Sequence, residues 1–257
     1  MTSIRFRTAA AAALTLALAA CDKSGSAPPT ATSSSGGGEA IAAQRPALAN
    51  TAARDWTKVV SATPEGGFLM GNPNAKVKLL EFASTTCPHC QRFWEAAHRP
   101  LVDDYVKSGR VSYEYRTFVL NGPDYAMSVL ARCQGAQAFF PLLDQIYATQ
   151  NQWMQPFLQP DPSAQAKISA TPADRQLLAV ADSGKLDQFF RLRGVPRAKY
   201  EACLTDKAQQ KPIEDIRETQ ARKYNVTGTP TFFVNGEMVG SFEQWAPVEA
   251  AIKAKLG

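Results

Sequence analysis

Two cysteines that lie two residues apart are the residues of this chain best suited to chemistry. Cys87 and Cys90 enclose Pro88 and His89 in the stretch TTCPHCQRFW. Thiols at this spacing can act as a redox pair, in which one sulfur forms a mixed disulfide with another protein and the second thiol resolves it. The same spacing also occurs in half of a zinc site and in structural disulfides. The rest of the sequence has to separate these three possibilities.

The sequence offers few ligands for zinc. A structural zinc ion takes four Cys or His ligands, but the chain has only two histidines, His89 and His98, and His89 lies inside the motif. Zinc would therefore have to recruit Cys133 and Cys203. A purely structural bridge is also unattractive, because closing so short a loop adds little stability. We predict a redox-active disulfide with no metal and no organic cofactor, and we expect His98 to be an ordinary surface residue.

The motif stands where a predicted strand passes into a predicted helix. Residues 77–82, VKLLEF, are apolar enough for a buried central strand. Pro88 is favoured at the first position of a helix, so Cys87 faces the positive end of the helix dipole. That position lowers the pKa of a thiol, and His89 adds a hydrogen bond or a positive charge. Cys90, one turn further on, can reach Cys87 and close the disulfide.

An acid interrupts the predicted strand six residues before Cys87. Glu81 has apolar neighbours, and a buried carboxylate is costly unless something compensates for its lost hydration. Strand alternation places Glu81 beneath the start of the helix, near Cys90, where it can carry a proton for that thiol. The alternative is a glutamate at a strand edge that reaches water.

The remaining elements indicate an α/β protein. Residues 111–119 alternate like a second strand, which makes a strand–helix–strand unit with the preceding elements. Successive helical patterns follow, with a loop predicted at residues 161–172 and a helix break at Pro212. A hairpin with an Asn235-Gly236 turn and a last helix complete the chain. This order predicts a thioredoxin-like fold with an inserted all-helical domain.

The same pattern sets the expected domain boundaries. The first part of the thioredoxin-like domain covers residues 56–122, the helical insertion covers residues 123–224, and the second part covers residues 225–257. Pro230 follows Thr229 at the start of the last hairpin, in TGTPTFFVNG. Proline cannot donate to a strand ladder and is often cis at such a position; the alternative is a trans proline that ends a loop.

Three stretches carry a family resemblance. VKLLEFASTTCPHCQRFW, TGTPTFFVNG and GGFLMGNPNAKV resemble the DsbA-type thiol–disulfide oxidoreductases of bacterial envelopes, over about residues 56–257. The resemblance implies that Cys87 is the nucleophile and Cys90 the resolving cysteine. It also implies a cis proline at Pro230 beside the disulfide, and Glu81 matches the buried acid of the family in its spacing.

Thr229 has two implications within this resemblance. Its backbone groups would bind an extended substrate peptide by strand addition. The archetypal oxidases have valine before the proline, however, and threonine is more common in relatives that act as isomerases or reductases. The Pro88-His89 dipeptide favours an oxidase, whereas Thr229 favours the alternative, an isomerase or reductase kept reduced by a membrane donor.

The N-terminus predicts export. Arg5 and Arg7 precede an apolar run at residues 8–20 that is too short to span a membrane and suits a secretory signal peptide. The run ends in LAAC, which resembles a bacterial lipobox, so we predict a signal peptide over residues 1–20 and a lipid on Cys21. The alternative is ordinary secretory cleavage with an incidental cysteine. Either way the mature protein leaves the cytoplasm.

A tether is expected after the lipidated cysteine. Residues 21–55 are rich in Ser, Gly, Ala, Pro and Thr, which is typical of a flexible linker. Asp22 follows Cys21, and an acid at that position often marks retention at the inner membrane. We therefore expect a periplasmic protein tethered to the inner membrane by the lipid. Only linker precedes residue 56, which favours a monomer over a dimeric isomerase.

The two remaining cysteines lie near the ends of the predicted insertion. If Cys21 carries a lipid, Cys133 and Cys203 are left to pair with each other, and an oxidising compartment permits this. Such a disulfide closes a loop of about 70 residues and contributes up to about 4 kcal/mol in the chain-entropy model. The alternative is a pair of inert core thiols.

Composition narrows the partners. The net charge is +5 and the basic residues are scattered, so a nucleic-acid partner is not expected. The family resemblance implies exported proteins that contain cysteines as clients, and an inner-membrane quinone-linked oxidase or a thiol donor as the redox partner. Two rivals outside disulfide chemistry are a metal-binding envelope lipoprotein, which the scarcity of histidine disfavours, and a non-catalytic interaction lipoprotein.

Overall fold

The computed structural model describes residues 54–257 except Phe242 and Glu243. The predicted signal peptide, Cys21 and nearly all of the predicted linker lie outside the described residues. Within the described part of the chain, no helix is long and apolar enough to cross a membrane.

A six-stranded mixed sheet forms the centre of the fold. Its strands are β1 (Val60–Ala62), β2 (Phe68–Gly71), β3 (Val77–Ala83), β4 (Val111–Thr117), β5 (Thr231–Val234) and β6 (Glu237–Gly240). Their order in the sheet is β1-β2-β4-β3-β5-β6. Strands β3 and β4 are parallel, and every other neighbouring pair is antiparallel. Strand β3 is therefore flanked on both sides and carries the site from the middle of the sheet.

Helices surround the sheet and fill the segment between β4 and β5. They are α1 (Pro88–Pro100), α2 (Gly122–Cys133), α3 (Ala136–Ala148), α4 (Gln150–Trp153), α5 (Gln155–Leu158), α6 (Pro162–Ala170), α7 (Gln176–Ser183), α8 (Leu186–Arg191), α9 (Arg197–Thr205), α10 (Lys207–Asp215), α11 (Ala221–Lys223) and α12 (Trp245–Leu256). A π-helical segment, Leu101–Val106, continues α1, and a second one, Ile216–Gln220, joins α10 to α11. This is a thioredoxin-like fold with a substantial helical insertion.

The two faces of β3 pack into two different hydrophobic cores, because its side chains alternate along the strand. Leu79 and Ala83 belong to the large core that also contains the buried side of α1, and Glu81 shares their face because alternate strand residues point the same way. Leu80 and Phe82 point to the opposite face. The helix α1 therefore lies over the face of β3 that carries Glu81.

Helix α1 is held by an apolar stripe at helical spacing. Cys90, Phe93, Trp94 and Ala97 are its buried residues, spaced as i, i+3, i+4 and i+7. Burying Phe93 or Trp94 contributes roughly 2–3 kcal/mol each. This stripe fixes the rotation of the helix and so directs Cys90 into the core.

A disulfide joins two helices of the insertion. Cys133, the last residue of α2, is bonded to Cys203 in α9, with their Cα atoms 5.9 Å apart and 70 positions between them in the chain. Since both sulfurs are used in this bond, neither is available to a zinc ion.

The end of the helical segment packs on the opposite face of the sheet from α1. Ile216 and Ala221 share a core with Leu80, Phe82 and Phe233. A boundary of the insertion at residue 224 would therefore separate residues that pack on the sheet from the strands they cover. The division at residues 122 and 224 stays a prediction.

Two predicted features of the insertion were wrong. Residues 161–172 were expected to be a loop, but α6 forms there because Asp161 caps its first turn through a 2.8 Å bond from the Ser163 N–H, with proline next to the cap. The helix break expected at Pro212 lies instead at Asp206, whose carboxylate accepts from the Ala208 N–H at 2.8 Å and starts a new helix.

Candidate active site

Cys87 is the N-cap residue of α1. Its Sγ accepts a hydrogen bond from the Cys90 N–H at 3.4 Å, and in the protonated thiol form it donates one to the Thr229 carbonyl oxygen at 3.3 Å. The pKa of the Cys87 thiol is lowered to about 5. The largest cause is a hydrogen bond from the Cys90 side chain, with further contributions from Thr229 and from the backbone N–H groups of Cys90 and His89. Burial opposes this shift. A pKa lowered to about 5 favours the thiolate form of Cys87 at neutral pH.

Cys90 has the opposite electrostatic character. It exposes 1% of its surface, against 4% for Cys87. Burial raises its pKa well above the usual thiol value, and the hydrogen bond with Cys87 and the charges of Cys87 and Glu81 raise it further. Both cysteines are free thiols in this structure. The pair thus combines one stabilised thiolate with one thiol that keeps its proton.

Glu81 is a buried acid whose partner is a phenol. The Tyr113 hydroxyl donates to Oε2 of Glu81 at 2.5 Å, and Glu81 is 1% exposed. Burial raises the pKa of Glu81 to about 8; the Tyr113 hydrogen bond lowers it, and the charge of Cys87 raises it. A carboxyl group with a pKa near neutrality can both donate and accept a proton under physiological conditions.

Two more buried tyrosines connect the insertion to the turn that precedes Cys87. The hydroxyls of Tyr115 and Tyr147 lie 2.8 Å apart, and Tyr147 donates to the Ser84 carbonyl oxygen at 3.0 Å. The Tyr147 carbonyl oxygen in turn accepts from the Gln91 side chain at 3.0 Å. Helix α3 is thereby tied to both ends of the strand-to-helix junction.

Asp124 holds the turn between β3 and α1 from the other side. Its carboxylate accepts from the Ser84 hydroxyl at 2.6 Å, from the Thr85 N–H at 2.9 Å and from the Thr85 hydroxyl at 2.6 Å. The Leu120 N–H donates to it as well, at 2.9 Å. Burial raises the pKa of Asp124, and these hydrogen bonds oppose the rise. A fully buried carboxylate with this many donors fixes the backbone immediately before Cys87.

Gln150 satisfies the backbone of the same turn. Its Nε2 donates to the carbonyl oxygens of Thr85 at 2.8 Å and Cys87 at 3.1 Å, and the side chain is buried. Because Gln150 begins α4, the helical insertion contacts the backbone of Cys87 through this residue.

The segment Thr229-Pro230 lies across from Cys87. The peptide bond between these two residues is cis. The Thr229 carbonyl oxygen accepts the hydrogen bond from the Cys87 thiol. The Thr231 hydroxyl donates to the Gly228 carbonyl oxygen at 2.7 Å, and the Ser241 hydroxyl donates to that of Pro230. These bonds hold the turn that opens β5 beside the sulfur.

Pro88 and His89 form the exposed rim of the motif. Arg92 Nη2 lies 2.8 Å from Nδ1 of His89. The two cysteines on either side of this dipeptide are buried, so a partner that approaches Cys87 meets Pro88 and His89 first.

Two other predicted features lie away from this cluster. Cys133 follows Asp124 by nine residues on α2, about 13 Å along the axis, so its bridge is not part of the site. His98 was expected at the surface, but it is only 15% exposed, stacks on Trp94 at 3.9 Å between ring centroids and contacts Asp144 at 3.5 Å. Burial lowers the pKa of His98.

Three of the site residues escaped the sequence interpretation. Asp124 follows the N-cap Asn121 by three positions. An acid at that spacing is typical of the start of a helix, so it did not indicate a residue of the active site. Tyr113 looked like an ordinary aromatic residue of a strand. No sequence pattern marked Gln150 as a residue of the site. The described residues contain no group of three or more His, Cys, Asp or Glu that could hold a metal ion.

Comparisons with known proteins agree with this geometry. Residues 63–254 match the family model described as Thioredoxin. A Rickettsia bellii protein named as a protein-disulfide oxidoreductase is 32% identical over 70% of this chain and 61% of its own length. The DsbA thiol:disulfide interchange protein of Bordetella pertussis is 26% identical over 65% of this chain and 66% of its own. The chain spans about three fifths of the Rickettsia relatives that it matches.

Solved structures show the same fold. A protein-disulfide isomerase from Novosphingobium aromaticivorans superposes with a TM-score of 0.70 at 29% identity, over 75% of this chain and 98% of the other. Alpha-DsbA1 of Wolbachia pipientis superposes with a TM-score of 0.60 at 20% identity, over 74% of this chain and 90% of the other.

The sheet, the insertion and the dithiol at the start of α1 define a DsbA-like protein with the thioredoxin fold. The chain belongs to the thioredoxin family.

Proposed function

We propose that this protein is a periplasmic thiol:disulfide oxidoreductase that introduces disulfides into exported proteins by exchange at Cys87 and Cys90. The observation that supports this most directly is the contrast between the two thiols: the pKa of Cys87 is lowered to about 5, and that of Cys90 is raised. An oxidase needs one sulfur that leaves readily as a thiolate and a second that stays in reserve.

The reaction begins with the Cys87–Cys90 disulfide. A client thiolate attacks Sγ of Cys87, the bond between Cys87 and Cys90 breaks, and Cys90 leaves as a thiolate that takes up a proton. A second client thiolate then attacks the client sulfur of the mixed disulfide. The client disulfide forms, and Cys87 leaves as a thiolate. Two electrons have passed from the client to the Cys87–Cys90 pair.

The proposed role of Glu81 is to supply the proton for Cys90. Glu81 shares the face of β3 beneath α1, its charge acts on the pKa of Cys90, and its own pKa is about 8. Thr229 would bind the client backbone beside Cys87, since its carbonyl oxygen already lies within hydrogen-bond distance of the sulfur.

The lowered pKa of Cys87 favours oxidation of clients. At pH 7, a pKa lowered from 9.0 to about 5 stabilises the reduced form about a hundredfold. A tenfold change corresponds to about 30 mV for a two-electron couple, so this shift makes the pair about 60 mV more oxidising than one with an unshifted thiol. A stable reduced form is what makes the disulfide a strong oxidant.

A second candidate function is disulfide isomerisation or reduction by a protein kept reduced by a membrane donor. Thr229 before Pro230 favours it, as does the name of the Novosphingobium protein, which is 29% identical. The chemistry at Cys87 is the same in both cases, and only the potential of the pair and its redox partner differ.

The equilibrium potential of Cys87 and Cys90 against glutathione at pH 7 tests the proposal. We expect a value at least about 40 mV above the roughly −270 mV of thioredoxin. A value at or below that of thioredoxin would support the reductase instead. Mass spectrometry after thiol trapping assigns the change to Cys87 and Cys90, and a C133A/C203A variant is the control for the second bridge.

The proposed location and partners follow from the sequence. A lipid on Cys21 would tether the protein to the periplasmic face of the inner membrane, and a quinone-linked membrane oxidase would reoxidise the Cys87–Cys90 pair. Fractionation of cells that express the wild type or Cys21→Ala tests the tether. The protein should move from the membrane to the soluble periplasmic fraction in the variant; unchanged fractionation would reject lipid attachment.

A further inference from the structure

A surface groove of about 310 Å³ lies between α4, the start of α5 and α8. Trp153, Phe189 and Leu192 give it apolar walls, and Lys185 and Arg193 add two cations. No carboxylate is among its lining residues. Leu192 is 84% exposed, so its apolar side chain is available to a ligand in the groove.

The groove is connected to the nucleophile through α4. Gln150 donates to the Cys87 carbonyl oxygen at 3.1 Å, and Gln152 and Trp153 on the same short helix line the groove. Successive Cα atoms are about 3.8 Å apart, so the near wall lies within about 11 Å of Gln150. An extended peptide rises about 3.3 Å per residue. A client residue within about six positions of the reacting cysteine can therefore reach the groove.

Arg193 presents a partly desolvated cation to this groove. Its guanidinium stacks over the Phe189 ring, with Cζ 3.4 Å from the ring centroid, and Nη1 donates to the Phe189 carbonyl oxygen at 2.7 Å. Nε is buried and has no hydrogen-bond partner among the described residues. Burial lowers the pKa of Arg193, but a guanidinium remains protonated at neutral pH. The cation beside the groove is therefore partly desolvated, which strengthens its attraction for an incoming carboxylate.

Lys185 adds a second charge that no carboxylate neutralises. Asp182, one turn earlier, is held by Arg197 through two 2.7 Å contacts. The side chain of Lys185 forms no ion pair with any residue in the described part of the chain. The groove therefore has a local positive charge beside apolar walls.

We infer that this groove binds an extended segment of the client that carries an apolar residue next to a carboxylate, within about six residues of the reacting cysteine. The apolar side chain packs against Phe189 and Leu192, and the carboxylate accepts hydrogen bonds from Arg193 and Lys185. This inference rests on the proposed function and adds a means of selection, because the groove would distinguish among clients that all present a thiol.

Three dithiol peptides test the inference in the oxidised full-length protein. They share one sequence except at the three residues in positions four to six from the reacting cysteine. These three residues are Leu-Asp-Asp, Leu-Asn-Asn or Leu-Lys-Lys. Each peptide is made in two versions, with the three residues N-terminal or C-terminal to that cysteine. We expect the acidic peptide to be oxidised about fivefold faster than the amide peptide, as charge-assisted hydrogen bonds are stronger than neutral ones. The lysine peptide should be slowest, and 0.5 M NaCl should reduce the differences.

Charge reversal provides the matched variants. K185E/R193E should prefer the lysine peptide, whereas K199E, which changes an exposed cation on α9 outside the groove, should behave like the wild type. Oxidation of dithiothreitol, which is too small to reach the groove, should be unchanged in both. R193Q is a second variant that keeps the shape of the side chain, and it should lose most of the acidic preference.

Calorimetric titration of the same peptides with serine in place of cysteine measures binding without any redox step. Tighter binding of the acidic peptide supports the groove even if the protein oxidises no thiol. Tighter binding without oxidation would reject the proposed function but not the groove. Equal rates and equal binding for all three peptides, with dithiothreitol oxidised normally, would overturn the groove and leave the proposed function intact. A preference that K185E/R193E fails to change would also overturn it.

Discussion

The Tyr113 hydroxyl donates a 2.5 Å hydrogen bond to Oε2 of Glu81 in the core beneath the two cysteines. Within the described chain, Glu81 forms no ion pair, so a neutral phenol is the group that stabilises its charge. A phenol compensates for lost hydration less well than a cation would, which is why the pKa of Glu81 stays near 8. Because of this hydrogen bond, the Glu81 carboxyl group can gain or lose its proton near neutral pH.

Removing the phenol hydroxyl should raise the pKa of Glu81. In Tyr113→Phe the carboxylate loses the one hydrogen bond that lowers its pKa, so we expect a value above 8. Infrared difference titration of the carboxyl band measures it directly. Tyr115→Phe is the matched control, since its hydroxyl contacts Tyr147 and not Glu81. Equal shifts in both variants would show that the bond to Glu81 has no special role.

Glu81 should make the oxidised protein less stable as the pH rises. With free thiols its folded pKa is about 8, against an ordinary value of 4.5, and burial is the largest cause. A disulfide leaves the burial in place and removes only the charge of Cys87, so in the oxidised form the contribution of Glu81 is fully present below about pH 4.5 and is lost as the pH rises toward 8. For the full shift from 4.5 to about 8, the integrated loss is on the order of 5 kcal/mol. Urea denaturation of the oxidised form should therefore show Glu81→Gln more stable than the wild type at pH 8 and not at pH 4. A pH-independent difference would contradict the linkage.

The reduced protein should show a flatter pH profile than the oxidised one. The folded pKa of Cys87 is lowered from 9.0 to about 5, so its contribution is present above pH 9 and is lost as the pH falls through 5. This trend opposes that of Glu81 over the same range. Parallel profiles of the two redox forms between pH 5 and 8 would show that the Cys87 thiol is not shifted.

Cys90 should control the acidity of Cys87. Its side-chain hydrogen bond is the largest cause of the lowered pKa of Cys87, so Cys90→Ala should raise that pKa by at least about one unit, toward 9. Absorbance of the thiolate at 240 nm, or the pH dependence of alkylation, measures the value. Cys90→Ser is the matched variant, because its hydroxyl can still donate and should preserve part of the shift. No difference between alanine and serine would point to the backbone N–H groups instead.

Asp124 should be essential to the geometry of the turn before Cys87. In Asp124→Asn the amide nitrogen replaces one acceptor and faces the donors of Ser84 or Thr85. We expect a loss of about 2–4 kcal/mol in the free energy of unfolding, with slower alkylation of Cys87 in the protein that remains folded. Ser128→Ala is the control, as its hydroxyl lies 3.4 Å from the carboxylate. A loss no larger than that of the control would exclude the anchoring role.

The sequence by itself determined the parts of the site that depend on local spacing. Cys87 at the start of a helix, Cys90 one turn later and Glu81 on the preceding strand are all placed by the period of one strand and one helix, so their relationship can be read from adjacent residues. Such rules failed at residues 161–172, where two prolines suggested a loop although Asp161 and the proline after it start a helix.

Only the tertiary structure decided what surrounds the two cysteines. Tyr113, Asp124 and Gln150 lie 23 to 63 positions from Cys90 or Cys87 along the chain, and each contacts the site because a different helix or strand packs there. The pKa values of the thiols and of Glu81 depend on this packing, because they are set by burial and by individual hydrogen bonds. Periodicity predicts which face a residue occupies, but it carries no information about which distant side chain will lie opposite.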